Sequence, residues 1–188
     1  MVTIRKEMTK VIAAREGLLD GAFGDARFTK AAERLREGRM PAFGLSFVAT
    51  EKNRVVGTVR LWHVSAGSAR PALLLGPLAV DGAWRGLGIG AALTRRATEA
   101  AQRLCHKAVL LVGDAPYYGH FGFSAEKTGA LWMPGPYERE RLLARELVPG
   151  ALDRARGLVS ATGERSLVPD LATLIAGLAR TDDAARAA

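Results

Sequence analysis

The chain of 188 residues has a single cysteine, Cys105, and no apolar run close to the roughly 20 residues that a membrane-spanning helix needs. One cysteine excludes an internal disulfide framework and a metal site built from several cysteines. The first residues are basic but lack an apolar stretch behind them, so we expect no secretory signal. These features predict a cytoplasmic protein that holds no metal ion and does not enter a membrane.

Acidic side chains are also scarce, with 19 Asp and Glu against 27 Lys and Arg and a formal net charge of +8. Such a balance favours anionic partners, among them nucleic acid and a polyphosphate cofactor. The basic residues are spread along the chain, however, and the longest cluster is the pair Arg95-Arg96. We expect a scattered basic surface, and a nucleic-acid binder ranks last because neither a stacking motif nor a basic helix is present.

Hydrophobic periodicity indicates a mixed α/β domain. Apolar and β-branched segments predict strands at about residues 2–5, 45–50, 55–62, 72–80, 108–112, 123–132 and 141–147. Helical spacing predicts helices at about residues 11–21 and 29–36 and a longer one that begins at Ile89. This order is typical of an α+β arrangement, in which helices cover both faces of a largely antiparallel central sheet.

The pattern weakens after Pro149, so we expect residues 1–148 to form the domain and residues 149–188 to form a C-terminal helical appendage. Within the appendage, the spacing of one amphipathic helix is shared by Leu171, Leu174, Ile175 and Leu178. A frayed tail follows from residue 181. The apolar stripe must bury against the domain or against a second copy of the chain, which would make a homodimer.

A glycine-rich loop, Arg85-Gly86-Leu87-Gly88-Ile89-Gly90, lies between a predicted strand and the longest predicted helix. Alternate glycines allow a sharp turn, and free amides at a helix start bind anions such as a pyrophosphate, although a purely structural turn is an alternative. The loop contains no lysine, which excludes a P-loop. A dinucleotide fingerprint is disfavoured because five residues separate the strand end at Val80 from the first glycine.

The pattern R-x-x-G-x-G formed by Arg85, Gly88 and Gly90, together with the run that precedes it, resembles the acetyl-CoA-binding signature of the GNAT superfamily of N-acetyltransferases. The resemblance implies a bulged fourth strand that pairs its backbone with the pantetheine arm of acetyl-CoA at Leu78, Ala79 and Val80. It also implies that the pyrophosphate is bound by the amides of Arg85, Gly86, Leu87, Gly88, Ile89, Gly90 and Ala91.

A second motif supports the resemblance. The run from Tyr118 to Phe123 matches the Y-x-x-x-G-F element that follows the fifth strand in many of these enzymes, and with Tyr117 it is especially similar to the bacterial YhbS-type subgroup. The resemblance covers about residues 2–147. It implies direct attack of a primary amine on acetyl-CoA, since no activated cysteine is evident for a ping-pong route. The alternative is a non-catalytic module of the same fold that binds CoA or another anion.

The candidate catalytic residues lie beside this second motif. Tyr118 can protonate the departing CoA thiolate, because a phenol with a pKa of about 10 is neutral at pH 7, and Tyr117 is its packing partner. The resemblance implies a glutamate base on the fourth or fifth strand, but neither strand carries a carboxylate. Asp114 is the nearest candidate base, with a turn-stabilising role as its alternative. His63 is a second candidate, and an amine that arrives neutral needs no base.

The identity of the amine is not encoded in any motif. Trp132, Met133 and Tyr137 belong to the segment that closes the acceptor side in this family. The resemblance therefore implies either an acceptor pocket or core packing for these three side chains.

Overall fold

The computed structural model describes residues 1–166, apart from the side chains of residues 25 and 26. Its strands are β1 (Thr3–Lys6), β2 (Ser46–Glu51), β3 (Arg54–Ser65), β4 (Pro71–Val80), β5 (Ala108–Val112), β6 (Leu131–Trp132), β7 (Leu142–Glu146), β8 (Gly157–Leu158) and β9 (Ser160–Ala161). Its α-helices are α1 (Ile12–Phe23), α2 (Ile89–Arg103) and α3 (Ala115–Gly119). Short 3-10 helices at Gly24–Thr29 and Glu33–Leu35 follow α1.

The main sheet has the order β1-β2-β3-β4-β5-β7, with β9 added beside β3. Among the described strands of this sheet, only the β4–β5 pair is parallel, and β6 and β8 form a separate parallel pair. The connection between β4 and β5 contains α2, as a parallel crossover requires. The predicted mixed, largely antiparallel sheet with helices on both faces is confirmed.

Both faces of the central strands are buried, which explains their continuous apolar runs. Leu73 and Leu75 of β4 belong to the core under α2, whereas Leu74 between them belongs to the core on the opposite face. Helix α2 covers the first face with Leu93, which is fully buried. It approaches β3 closely at Gly57, where a Cβ would lie 3.0 Å from Cδ1 of Leu93 and would require that side chain to move.

The opposite face is covered by α1, by the turns that follow it and by the last described residues. The predicted helix at 29–36 is wrong, because Lys30 has an extended backbone (φ −69°, ψ 139°) that separates two 3-10 helices. The predicted strand at 123–132 is also wrong over most of its length. There the backbone N–H of Thr128 closes a turn by donating to the Ala125 carbonyl at 3.1 Å, and the Thr128 hydroxyl donates to the Leu142 carbonyl at 2.7 Å. This arrangement leaves a bridge at Ser124 and the short β6.

Residues 149–166 pack on the sheet. Leu152, Ala155 and Val159 are buried in the core opposite α2, and the strands β8 and β9 pair with β6 and β3. The amphipathic helix that we predict at residues 171–178 lies outside the described residues. Within residues 1–166, none of the helices is both long and apolar enough to cross a membrane.

Candidate active site

The strands β4 and β5 diverge after a short paired stretch and leave a gap in the middle of the sheet. Within the described residues they pair only at Leu73 with Val109 and at Leu74 with Leu110. Beyond Leu75, the edge of β4 that faces β5 therefore has no partner strand. Such an edge offers backbone N–H and C=O groups to an extended ligand.

A bulge in β4 marks the start of this gap. Opposite it, Val59 pairs with Leu78 and Leu61 pairs with Leu75, so that Gly76 and Pro77 face a single residue of β3. The indole Nε1 of Trp62, a residue of β3, donates a hydrogen bond to the Gly76 carbonyl oxygen at 2.6 Å. Glycine and proline inside a strand are the residues that bulges favour.

A cavity of about 420 Å³ opens at the gap. Its walls are the end of α1 with the following turns, the β4 bulge, the residues after β5 and the loop at 136–141. Leu78, Asp114 and Tyr118 all line it, so the structure brings one predicted cofactor contact and both predicted catalytic residues to the same cavity.

Tyr118 lies across the end of β5 and packs tightly on Gly113. A Cβ on Gly113 would lie 2.7 Å from Cδ2 of the Tyr118 ring and closer still to Cε2, so any side chain at that position would force the ring to move. Phe123 contacts the ring edge-on, with 6.0 Å between the ring centroids. Burial raises the pKa of Tyr118 to about 12, neighbouring Tyr117 adds to this increase, and Arg141 opposes it. The phenol is therefore a neutral hydrogen-bond donor at physiological pH.

Tyr117 packs edge-on against Tyr118 at 4.9 Å and against Phe121 at 5.3 Å, in agreement with the packing role that the sequence predicts. It also reaches α2, because its hydroxyl oxygen lies 3.1 Å from the position that a Cβ on Gly90 would take. Burial raises the pKa of Tyr117, whereas a hydrogen bond with Thr94 and the nearby charge of Arg95 lower it. Tyr117 therefore connects the tyrosine motif to the start of α2.

Asp114 follows β5 and caps α3. Its Oδ2 atom accepts a hydrogen bond from the backbone N–H of Tyr117 at 3.3 Å, which is the turn-stabilising role considered above. The same side chain lines the cavity, so the two roles are compatible.

His63 lies elsewhere. Its ring is 5.4 Å from the ring of His106, and both line a separate pocket of about 160 Å³ together with Cys105. The structure thus does not bring His63 to Tyr118 and Asp114. Within residues 1–166, no group of three or more His, Cys, Asp or Glu side chains is placed to hold a metal ion.

The glycine loop lies beyond the end of β4 and leads into α2. Gly86 and Gly88 have positive φ angles of 80° and 76°, a conformation that favours glycine, and both are exposed. The amides of the first helical turn have no partner inside the helix, because intrahelical bonding starts with the N–H of Ala92, which donates to the Gly88 carbonyl at 2.9 Å. Gly90 contacts Val80, so the loop continues from the open edge of β4. Edge and loop together suit an extended ligand with an anionic end.

The backbone N–H of Arg85, unlike those that follow it in the loop, already has a hydrogen-bond acceptor among the described residues. It donates to the Gly82 carbonyl at 3.4 Å, and the Arg85 Nε donates to the Val80 carbonyl at 3.5 Å. Arg85 therefore helps to hold the loop against the end of β4.

The cavity contains charged residues that the sequence analysis did not select. They belong to the turns after α1 and to the loop at 136–141, and they are Arg27, Lys30, Arg36, Glu138 and Arg141. Periodicity gives no signal for them, because the turns after α1 have no regular spacing. Of the three residues predicted on the acceptor side, Tyr137 lines the cavity, Met133 is buried in the core and Trp132 is 54% exposed under the Arg139 guanidinium.

Comparison with known proteins gives one consistent family. Residues 43–125 match the sequence profile of a family described as Acetyltransferase (GNAT) domain. The chain is also 28% identical, over 158 residues, to the Escherichia coli strain K12 protein named Uncharacterized N-acetyltransferase YhbS. That match covers 83% of this chain and 93% of the E. coli protein.

Solved structures agree with the sequence matches. The GNAT family N-acetyltransferase YhbS from Escherichia coli, in complex with CoA, superimposes with a TM-score of 0.72 at 27% identity, covering 86% of this chain and 89% of the other. A GNAT family acetyltransferase from Brucella melitensis, in complex with acetyl-CoA, gives a TM-score of 0.63 at 26% identity, covering 86% and 96% of the two chains. The matches thus extend over most of the described fold.

Proposed function

We propose that this chain, which belongs to the GNAT superfamily of N-acetyltransferases, transfers an acetyl group from acetyl-CoA to a primary amine. The observation that carries the proposal is the position of Tyr118 in a cavity that opens on the unpaired edge of β4. The non-catalytic alternative has less support, since the relatives named above are N-acetyltransferases or acetyltransferases.

The cofactor would lie along the gap in the sheet. The backbone of Leu78, Ala79 and Val80 would pair with the pantetheine arm, because this edge of β4 is left without a strand. The pyrophosphate would bind at the loop from Arg85 to Ala91, where the amides after that of Arg85 meet the positive end of the α2 dipole. Solved relatives that hold CoA or acetyl-CoA support this choice of ligand.

The chemistry begins with a neutral amine. Its lone pair attacks the thioester carbonyl carbon and forms a tetrahedral intermediate, which then expels the CoA sulfur as the C–S bond breaks. The hydroxyl of Tyr118 donates a proton to the departing thiolate, and the tyrosine recovers a proton that the attacking nitrogen gives up. The balance is amine plus thioester to amide plus thiol.

The raised pKa of Tyr118 bears on this role in two ways. It keeps the phenol protonated throughout the physiological range, so the donor is always present. A phenol of high pKa gives up its proton less readily than an ordinary one, so its main contribution is a hydrogen bond that strengthens as charge develops on sulfur.

An amine that enters as an ammonium ion must first lose a proton, and Asp114 is our proposed base for this step. Its carboxylate lines the same cavity as Tyr118, while Oδ2 is held by the Tyr117 amide. A water molecule between Asp114 and the amine would carry the proton. An amine that enters already neutral would make this step dispensable, and the pH dependence of kcat/KM separates the two cases.

A panel assay tests the function. Thiol release from acetyl-CoA is followed with small amines, peptides with a free N-terminus and protein lysines as acceptors. Release that depends on one class of amine supports the proposal. Absence of release with every class, together with no acetyl-CoA-dependent rise in melting temperature, would refute it. We place the reaction in the cytoplasm, as the single cysteine leads us to expect, and cell fractionation checks this assignment.

A further inference from the structure

Two arginines in the wall of the cavity have a nitrogen that makes no hydrogen bond. Arg36 is only 8% exposed, and its Nε is buried without a hydrogen-bond partner among the residues that the structure describes. The Nε of Arg27 is in the same state, and both residues line the cavity beside Tyr118. Buried donors without an acceptor are rare in folded proteins. A third one, the Nε of Arg15, lies outside the cavity and has a carboxylate oxygen of Glu7 at 3.4 Å. The two that belong to residues of the cavity wall favour an acceptor that a ligand supplies.

The remaining contacts of these arginines hold them in place. Nη2 of Arg36 lies 2.7 Å from a carboxylate oxygen of Glu33, and Nη2 of Arg27 lies 2.9 Å from oxygens of both Glu16 and Asp20. Each guanidinium is thus anchored at one nitrogen, which fixes its orientation before any ligand enters. Anchored donors lose little conformational freedom on binding, which favours recognition of an anion.

The charges in the cavity wall also favour an anion. Among the side chains that the structure describes, its cations are Arg27, Lys30, Arg36 and Arg141, and its carboxylates are Asp114 and Glu138. Oε1 of Glu138 lies 3.4 Å from Nη1 of Arg141. Lys30 has no ion pair with any described residue, and its Nζ lies over the Phe23 ring. Because Arg27 and Arg36 are already paired with Glu16, Asp20 and Glu33, Lys30 is the cation of the wall whose charge an anion would neutralise.

The like charge of Arg27 destabilises the charge of Arg36. Burial lowers the pKa of Arg36, the carboxylate of Glu33 opposes this shift, and the like charge of Arg27 adds to it. An anionic group bound near both would offset the burial and the repulsion together.

Arg36 lies beside the bulge of β4 in the cavity that Tyr118 also lines. Its Nη1 is 3.4 Å from the position that a Cβ on Gly76 would take, in the bulge of β4 that precedes Leu78. Tyr118 lines the same cavity. An anionic group at Arg36 would therefore belong to the acceptor and lie a short distance from its amine.

On these grounds, and resting on the proposed function, we infer that the acceptor is an amine that also carries an anionic oxygen group, which Arg36 and Arg27 bind. The group is a carboxylate, as in an amino acid, or a phosphate, as in an aminoalkyl phosphate. Both offer oxygen acceptors that a guanidinium recognises.

Matched pairs of acceptors test this inference. L-Phenylalanine is compared with phenethylamine, and O-phosphoethanolamine with ethanolamine, in both turnover with acetyl-CoA and calorimetric binding in the presence of CoA. We expect the anionic member of at least one pair to show a kcat/KM or an affinity about tenfold higher or more. The first pair reports on a carboxylate and the second on a phosphate.

Variants connect the preference to the arginines. In Arg36→Gln the ratio of kcat/KM, or of affinity, between the two members of the preferred pair should fall to near one, and Arg36→Lys should restore part of it. Arg103→Gln is the matched control. Arg103 is an exposed residue of α2 outside the cavity, so this variant should leave the ratio unchanged. Each variant is first checked for an unchanged rise in melting temperature with acetyl-CoA.

The results that would refute this inference differ from those that would refute the proposed function. If uncharged amines are bound or acetylated as well as their anionic counterparts, the inference is wrong although the protein is an acetyltransferase. An Arg36→Gln variant that keeps the full preference also overturns it and leaves the arginines a role in holding the turn. Failure of every amine to bind or react, with no stabilisation by acetyl-CoA, refutes both.

Discussion

The ring of Tyr118 lies directly against the α-carbon of Gly113, with no space for a side chain between them. Gly113 directly follows β5, and Tyr118 is held by the short α3 that Asp114 caps. The position of the phenol is thus set by a glycine five residues earlier in the chain. This close approach makes Gly113 a sensitive probe of where the hydroxyl must lie.

Replacing Gly113 by alanine should push the Tyr118 ring out of place. We expect a loss of about 1–3 kcal/mol in the free energy of unfolding, as for overpacking in a core, together with lower turnover. Gly129→Ala is the control, because a Cβ there meets no atom within 4 Å. Denaturant unfolding and thiol-release kinetics measure both effects, and a Gly113→Ala enzyme with wild-type turnover would show that the ring position is unimportant.

The cofactor site is tested at Gly88. Its φ of 76° is one that a β-branched residue avoids, so Gly88→Val should distort the loop before α2 and abolish the rise in melting temperature that acetyl-CoA produces. A Cβ at Gly88 would meet no atom within 4 Å, so the variant should still fold. Gly82→Ala, which is equally open and lacks a positive φ, is the control.

NADH provides the ligand control for the same experiment. It should produce no shift in melting temperature, because the dinucleotide fingerprint is disfavoured in this sequence. A shift with NADH and none with acetyl-CoA would contradict the assignment of the glycine loop.

The C-terminal segment is tested by two truncations. Removing residues 150–188 should lower the melting temperature clearly, because Leu152, Ala155 and Val159 leave the core opposite α2. Removing only residues 167–188 isolates the predicted apolar stripe, which should either stabilise the domain or hold two copies together. Calorimetry and the mass in solution measure the two effects, and an unchanged value of both after the shorter truncation would mean that the stripe is idle.

The sequence predicted well where the pattern is local. Helix α2 begins at the expected Ile89 and β5 has the expected bounds, because spacing within one segment determines which face is buried. The glycine loop and the tyrosine motif could likewise be recognised from the sequence, because each is a continuous run of residues. The tyrosine motif lies at the cavity and the glycine loop beyond the open edge of β4 because of the parallel crossover between β4 and β5, which the resemblance to a family supplied and periodicity alone did not.

The acceptor side could not be predicted in this way. Arg27 and Arg36 lie in irregular turns whose course depends on contacts with α1 and β4, and an extended Lys30 interrupts the expected helix between them. Burial of an arginine contradicts its usual surface preference, so composition gives no hint of it. Met133 and Tyr137 are close in sequence yet diverge in the structure, the first to the core and the second to the cavity.

The protonation of Tyr118 makes a prediction about pH. The phenol acts when protonated, and burial raises its pKa to about 12, whereas an unfolded tyrosine has a pKa of about 10. Turnover that depends on this group should therefore not fall between about pH 8 and 10 through loss of its proton. The folded state holds this proton more tightly than the unfolded state, so its stability should decrease as the pH rises from about 10 towards 12.

A pH profile of kcat and a series of unfolding curves check this prediction. Tyr118→Phe should lose less stability than the wild type over the alkaline range. A basic limb of kcat with an apparent pKa below about 9, absent from a Tyr118→Phe enzyme with residual activity, would contradict the raised pKa.

The turnover of Tyr118→Phe tests the central claim most directly. Phenylalanine keeps the ring on Gly113 but removes the proton, so the affinity for acetyl-CoA and the melting temperature should stay nearly unchanged. Turnover should fall by roughly 10²-fold or more, as expected for loss of a general acid, while Tyr117→Phe should cost far less. Wild-type turnover in Tyr118→Phe, or a loss of cofactor affinity with turnover intact, would contradict the assignment of Tyr118 as the proton donor.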